Sequence, residues 1–223
     1  MVQIKKDNIG IMKQLIIIGA GGMGRQVLSF AKSCKGYGKE YEIKGFLDDN
    51  LHAMDGFPDY PPVLGTVDGY QIETDDVFFN SIGDIQAKKR CIQIILDKGG
   101  DFLTLIHPTA QVSPDTMIGK GCMIGSYVGI GVETTIGNFC LIQSKATIGH
   151  DVHIDDFARI DCNVVLIAGV TVGKNVCIHT SAVVNHDVSL GDGSTVGAMS
   201  FVIRKVKPGQ TVFGNPATVI FKK

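Results

Sequence analysis

Tryptophan is absent from this 223-residue chain, and phenylalanine and tyrosine bring the aromatic share to only 7%. So few rings argue against a wide interior packed with aromatic bulk. No CxxC pair occurs among the six cysteines (Cys34, Cys91, Cys122, Cys140, Cys162 and Cys177), so the ligand spacing of a cysteine metal cluster is missing and no metal is expected. Buried thiols in a reducing compartment are the better reading. Neither sign of charge is in surplus: 21 Lys and Arg stand against 22 Asp and Glu, for a net −1 and a pI near 6.6. That leaves no footprint for nucleic acid or for a membrane surface. No early apolar run approaches the ~20 residues of a membrane span. The longest, residues 15–20, is interrupted by Gly21 and Gly22, and no small-residue cleavage site follows it. A soluble cytoplasmic protein is expected.

What the chain does have is 44% hydrophobic and 19% charged residues, the balance of a folded protein, with length for one large domain or two small ones. Its 28 glycines are about 13% of the chain against a usual ~7%, which implies many turns and makes repeats the first thing to look for. From Ile106 to Val202 an aliphatic residue recurs every six positions, seventeen times without a slip, through Ile124, Ile148, Ile160, Leu166 and Val184. Two residues before each stands a small or β-branched one, such as Cys122, Ala146, Ala158, Val164 and Ala182. Glycine follows the aliphatic residue at 119, 125, 131, 137, 149, 173, 191 and 197, and is expected to relieve a corner.

A period of six fits neither a helix nor a simple alternating strand. It fits a short strand, a turn and another short strand, with both rows pointing inward. Three such strands close a triangular coil of 18 residues, and stacked coils form parallel ladders ~4.8 Å apart. Seventeen hexads make about 5.7 coils, or roughly 27 Å of prism. A narrow bore explains the small residues and the scarcity of rings.

The first half reads differently. Residues 14–18 form a buried strand, Gly19-Ala20-Gly21-Gly22-Met23-Gly24 contains GxGxxG, 25–34 is helical, and 43–47 is a second strand ending in Asp48-Asp49. Glycines there let a backbone approach phosphate, and the helix start supplies partial positive charge. A third strand at 77–81, a helix at 85–96 and a fourth strand at 102–105 complete a unit of roughly 90 residues, short for a dinucleotide fold and suited to a mononucleotide or nucleotide sugar. Residues 1–12 read as an extension, and Met12 offers an alternative start. The domains expected are thus 13–104 and 105–223.

The hexads, with the tail from Val206 to Ala217, resemble the hexapeptide-repeat acyltransferases, which implies a left-handed parallel β-helix; general crossover rules would favour the other hand. Joined to a small Gly-rich Rossmann-like α/β domain, they resemble the bacterial sugar O-/N-acetyltransferases of the sialic-acid O-acetyltransferase and UDP-4-amino-sugar N-acetyltransferase group. The resemblance covers about residues 13–220. It implies acetyl-CoA as co-substrate, a nucleotide-sugar acceptor used in glycan synthesis, and a homotrimer with the acyl donor between neighbouring subunits. It also implies a sugar-nucleotide site at Gly19, Gly21, Gly22, Gly24, Asp48, Asp49 and Gly83. N- and O-acetylation stay equally open.

Acyl transfer from a thioester needs a base for the acceptor's proton, and imidazole suits neutral pH. His150 lies two residues after Ile148, at a corner, and Asp151 follows it. The resemblance makes this pair the base and its orienter. It places Ala168, one 18-residue coil above His150, as a backbone donor to the oxyanion, and sets Arg159 and Ala198 beside the cofactor. Arg159 departs from the family, which commonly carries a second histidine there; a guanidinium cannot be a base but can bond a carbonyl or phosphate. An ion pair is its plainer reading. His186, two coils above His150 and followed by Asp187, is the second-choice base. His107 is read as structural, His153 and His179 have no supporting pattern, and Cys162 has nothing beside it to activate its thiol. Two other functions share the frame: a non-catalytic nucleotide-sugar sensor, for which Arg159 speaks, and a zinc hydratase of the γ-carbonic-anhydrase kind, for which the third histidine ligand is missing.

Overall fold

The computed structural model describes residues 12–222, so the expected extension lies, except for Met12, outside the described residues. The chain forms two compact units that meet in sequence between Leu105 and Ile106.

The first unit is built on β1 (Lys13–Ile18), α1 (Gly22–Ser33), β2 (Tyr41–Leu47), β3 (Val63–Gly65), β4 (Asp76–Asn80) and α2 (Ile85–Asp97). Its parallel sheet has the order β3-β2-β1-β4. Leu15, Ile16, Ile17 and Ile18 have no exposed surface, as expected of a central strand covered on both faces. Helix α1 begins three residues earlier than the sequence reading, because Gly24, a poor helix former, is there for packing: a Cβ on it would overlap Gly19 O. Strand β3 was hidden by its length and by the prolines before it. The fourth strand expected at 102–105 does not form. Phe102 makes one parallel bridge to Phe78, and Leu105 already belongs to the first prism strand.

The second unit contains seventeen two-residue strands, β5 (Leu105–Ile106) to β21 (Phe201–Val202), one every six residues, closed by the hairpin β22 (Gln210–Gly214) and β23 (Ala217–Lys222). The strands sort into three parallel sheets, each residue pairing with the one 18 further on, as Thr147 with Val165 and Ile148 with Leu166. The inward aliphatic residues and the small residues two before them make one continuous core. This is the α/β domain plus parallel β-helix that the repeat implies.

The corners differ from expectation. From Ile124 to Val202 the left-handed residue is the third before each inward aliphatic, and eleven of these fourteen are not glycine, with φ between 52 and 63°, among them Tyr127, Phe139, Asp151 and Phe157. Each such conformation costs ~1–2 kcal/mol, offset by ladder bonds such as Asp151 N–H to Val132 O (3.1 Å) and Phe157 N–H to Asn138 O (2.9 Å). The glycines after the aliphatic residues serve another purpose: they let successive coils touch. A Cβ on Gly125 would lie 2.6 Å from Ser144 N and 2.8 Å from Gln143 C, both backbone. Gly125→Ala should therefore destabilise the prism by about 1–3 kcal/mol, read by denaturant unfolding; an unchanged midpoint would refute the close-contact account.

Candidate active site

Candidate residues fall in both units, and each set has its own geometry. In the first unit, Gly19 takes φ +96°, and a Cβ there would sit 2.8 Å from Ser81 Oγ, which donates to Ile18 O at 2.7 Å. The bend at the end of β1 is thus fixed by Ser81, from the end of β4. Gly21 and Gly22 do the opposite: a Cβ on Gly21 meets nothing within 4 Å, and on Gly22 only the Arg25 guanidinium at 4.0 Å. Gly21 caps α1 without a side-chain bond, and no acidic residue occupies the first turn. The first amides of a 12-residue helix are therefore open and uncompensated, a place suited to an anion.

Asp48 has a role the motif did not announce. Its Oδ2 accepts the Ala20 N–H at 2.7 Å and its Oδ1 the Asn50 N–H at 2.9 Å, so it holds the Gly-rich loop in shape. Asp49, the next residue in sequence, and Gly83, which follows β4, are both exposed. Asp84 caps α2 by accepting the Ala87 N–H at 2.8 Å. Sequence reading missed the cation at this loop: the Arg25 guanidinium stacks 4.3 Å from the centre of the Phe57 ring. Nothing in a GxGxxG pattern signals a ring supplied from the 48–62 loop.

In the second unit, His150 and Asp151 form a corner of the prism. His150 Nδ1 lies 2.6 Å from Asp151 Oδ2, with both side chains more than 60% exposed. With Nδ1–H given to the carboxylate, Nε2 keeps its lone pair for a substrate proton. One coil above, Ala168 is half-buried and its N–H has no partner among the described residues, while the neighbouring Gly169 N–H donates to His150 O at 3.0 Å. His186 stands two coils above on the same corner, but no bond joins its ring to Asp187, whose N–H is taken by Ala168 O at 3.1 Å. Ala198 is exposed on a different corner of the same chain, so the structure brings His150, Asp151 and Ala168 together and leaves Ala198 apart.

Arg159 projects from a flat face and is committed within the chain. Its Nε donates to Asp161 Oδ1 at 2.7 Å and its Nη2 to Oδ2 at 3.3 Å. Asp161, 7% exposed, also accepts Gln143 Nε2 at 2.9 Å and meets His179 Nδ1 at 3.1 Å. His179 thus has a supporting partner after all. The signal was the stacking of Gln143, Asp161 and His179 at 18-residue intervals, each one past an inward aliphatic. His153 also has partners, the Thr135 hydroxyl and Asp155 Oδ1 at 3.2 Å. His107 is held locally, its Nδ1 2.8 Å from Thr109 Oγ1. The Cys162 thiol donates to Gln143 Oε1 at 3.1 Å, and burial pushes the Cys177 thiol above its ordinary range. Among the described residues no group of three or more His, Cys, Asp and Glu is placed to hold a metal ion.

The PglD N-terminal domain family matches residues 14–95. The UDP-N-acetylbacillosamine N-acetyltransferase of Bacillus subtilis (strain 168) is 28% identical over 115 residues, 51% of this chain and 51% of that protein. The match spans about half the length of that curated relative. The acetyltransferase domain of PglB from Neisseria gonorrhoeae FA1090, solved in complex with acetyl coenzyme A, is similar with a TM-score of 0.84 and 28% identity, over 94% of this chain and 100% of that one. PerB from Caulobacter crescentus, solved with CoA and GDP-perosamine, is similar with a TM-score of 0.83 and 25% identity, over 95% and 99%. The first unit thus matches the PglD N-terminal domain family, and the chain as a whole is similar in fold to the acetyltransferase domain of PglB and to PerB.

Proposed function

We propose that the protein transfers the acetyl group of acetyl-CoA to the amine of a nucleotide-linked amino sugar. The observation that carries this is the His150–Asp151 pair at the prism corner, its Nδ1 committed, below an Ala168 N–H; neither that N–H nor His150 Nε2 has a partner among the described residues. In the reaction the acceptor nitrogen attacks the thioester carbonyl carbon while His150 Nε2 takes one of its protons. The C–S bond then breaks and the CoA thiolate leaves, to be protonated in turn. A base so placed contributes ~10²–10⁴-fold. The Ala168 N–H is assigned to the oxyanion, where one such donor is worth about 2.7–4 kcal/mol. No acyl-enzyme and no metal are needed.

An amine is favoured over a hydroxyl for two reasons. Two of the named relatives carry an N-acetyltransferase name or a bound amino-sugar nucleotide. The His150 corner also carries exposed Asp115, Glu133, Asp151 and Asp187, one per coil except at Gly169, and such an edge attracts an ammonium-bearing acceptor. The open amides at Gly21 and Gly22 and the loop fixed by Asp48 support a role for the first unit in holding the nucleotide's phosphates. Arg159 and Ala198 are assigned to the acyl donor. Six free thiols support a reducing, cytoplasmic setting; among the described residues no helix is long and apolar enough to cross a membrane.

A homotrimer is part of the proposal. The sheet containing β15 (Val165–Leu166), β18 (Val183–Val184) and β21 (Phe201–Val202) turns Val165, Val183 and Phe201 outward, with Ile167 and Ile203 beside them, a flat apolar surface that asks to be covered.

Incubation with acetyl-CoA and a panel of nucleotide-linked amino sugars should release free thiol; no release with any sugar that binds would favour a sensor. His150→Ala should cut kcat by ~10²-fold or more with nucleotide-sugar binding nearly unchanged, whereas Asp48→Ala should weaken that binding. Full activity in the His150 variant would move the base to His186. Sedimentation at micromolar concentration should give a trimer, and a monomer would count against the shared site.

A further inference from the structure

The prism glycines divide by what a side chain would meet. Gly119, Gly125, Gly131, Gly137, Gly149, Gly173 and Gly191 follow an inward aliphatic residue, and a Cβ on any of them would run into the coil above. Gly129 is different. It is the outward-facing first residue of β9 (Gly129–Ile130), its φ is not positive, and a Cβ on it meets nothing within 4 Å. Its ladder neighbours in the coils below and above are Gln111 and Thr147, ordinary side chains on the same face. Glycine inside a strand is a poor choice on propensity and on backbone entropy. Nothing in the fold requires it at 129.

Gly129 does line a shallow cavity of about 480 Å³, together with Gln111, Val112, Ser113, Pro114, Ile130 and Gly131. No lining side chain is charged; the polar groups are one carboxamide and one hydroxyl. The cavity borders the proposed base, because Gly131 packs beneath the His150 backbone: a Cβ on Gly131 would lie 2.8 Å from His150 N. Strand rise and ladder spacing put the Gly129 and His150 Cα atoms about 11 Å apart.

We propose that Gly129 keeps open the floor of a subsite for the sugar ring of the acceptor, with Gln111 and Ser113 available to its hydroxyl or amide substituents. The inference rests on the transferase reading above. A neutral lining suits a sugar ring and does not suit phosphate, which needs charge or bare amides. The pantetheine arm of the acyl donor is also neutral and amide-bearing, so the test separates the two.

Gly129→Ala and Gly129→Thr should raise Tm by about 1–3 °C, since neither meets an obstacle and both restrict the unfolded chain. Gly129→Thr should also raise KM for the amino-sugar nucleotide by about tenfold or more, leave KM for acetyl-CoA unchanged, and sediment as the parent protein does. Unchanged acceptor KM overturns the proposal, as does a rise confined to acetyl-CoA. A lowered Tm or an altered assembly would assign the glycine to packing or to an interface and overturns it too. Lack of thiol release by the unmutated protein would instead refute the transferase reading; titration calorimetry with the nucleotide sugar, comparing it with Gly129→Thr, still reads the sugar contact directly.

Discussion

Every candidate group in the second unit owes its place to one constraint, the backbone ladder that joins each residue to the one eighteen further along. Because each coil repeats the last, a residue's position within its hexad fixes whether it is core, face or corner. Its coil then fixes its height. The ladder therefore converts distant sequence positions into vertical neighbours: His150 beneath Ala168, and Gln143, Asp161 and His179 in one column. A scaffold of this kind is stiff by construction, since moving one corner breaks bonds to two coils. That stiffness is what a base and an oxyanion donor need, because both must hold their geometry while charge develops.

Carboxylates in this protein spend much of their capacity on backbone and on neighbouring side chains. Asp48 holds Ala20 and Asn50 amides and so shapes the loop that leaves Gly21 and Gly22 bare. Asp161 gathers Arg159, Gln143 and His179 on a prism face. Asp151, by contrast with the buried Asp161, is exposed while it bonds the His150 ring. An acid at a motif position thus has two distinct uses, touching a ligand directly or fixing the backbone that does.

The hexads were legible because their core is one-dimensional: inward aliphatics such as Ile148 and Leu166 repeat without interruption, and no competing fold uses that period. The corner turns were misjudged because glycine is the usual left-handed residue, yet here Asp151, Phe139 and Tyr127 adopt that conformation under ladder bonds, while glycine is used for coil contact. In the first unit β1, β2, β4, the Gly-rich turn and both helices could be read locally. Strand β3 and the single bridge at Phe102 could not, since their existence depends on neighbours far along the chain.

The sequence by itself determined the prism, the α/β unit before it, and the presence of an imidazole–carboxylate pair at a corner, because these follow from periodicity and adjacency. Only the tertiary structure decided that Nδ1 of His150 is bonded to Asp151 while His186 and Asp187 stay unjoined, that Arg159 and His179 are both tied to Asp161, and that a Cβ on Gly129 would meet open space where one on Gly131 would meet the next coil. Those outcomes depend on side-chain direction and on what occupies the next coil, and residue order fixes neither until the chain has closed on itself.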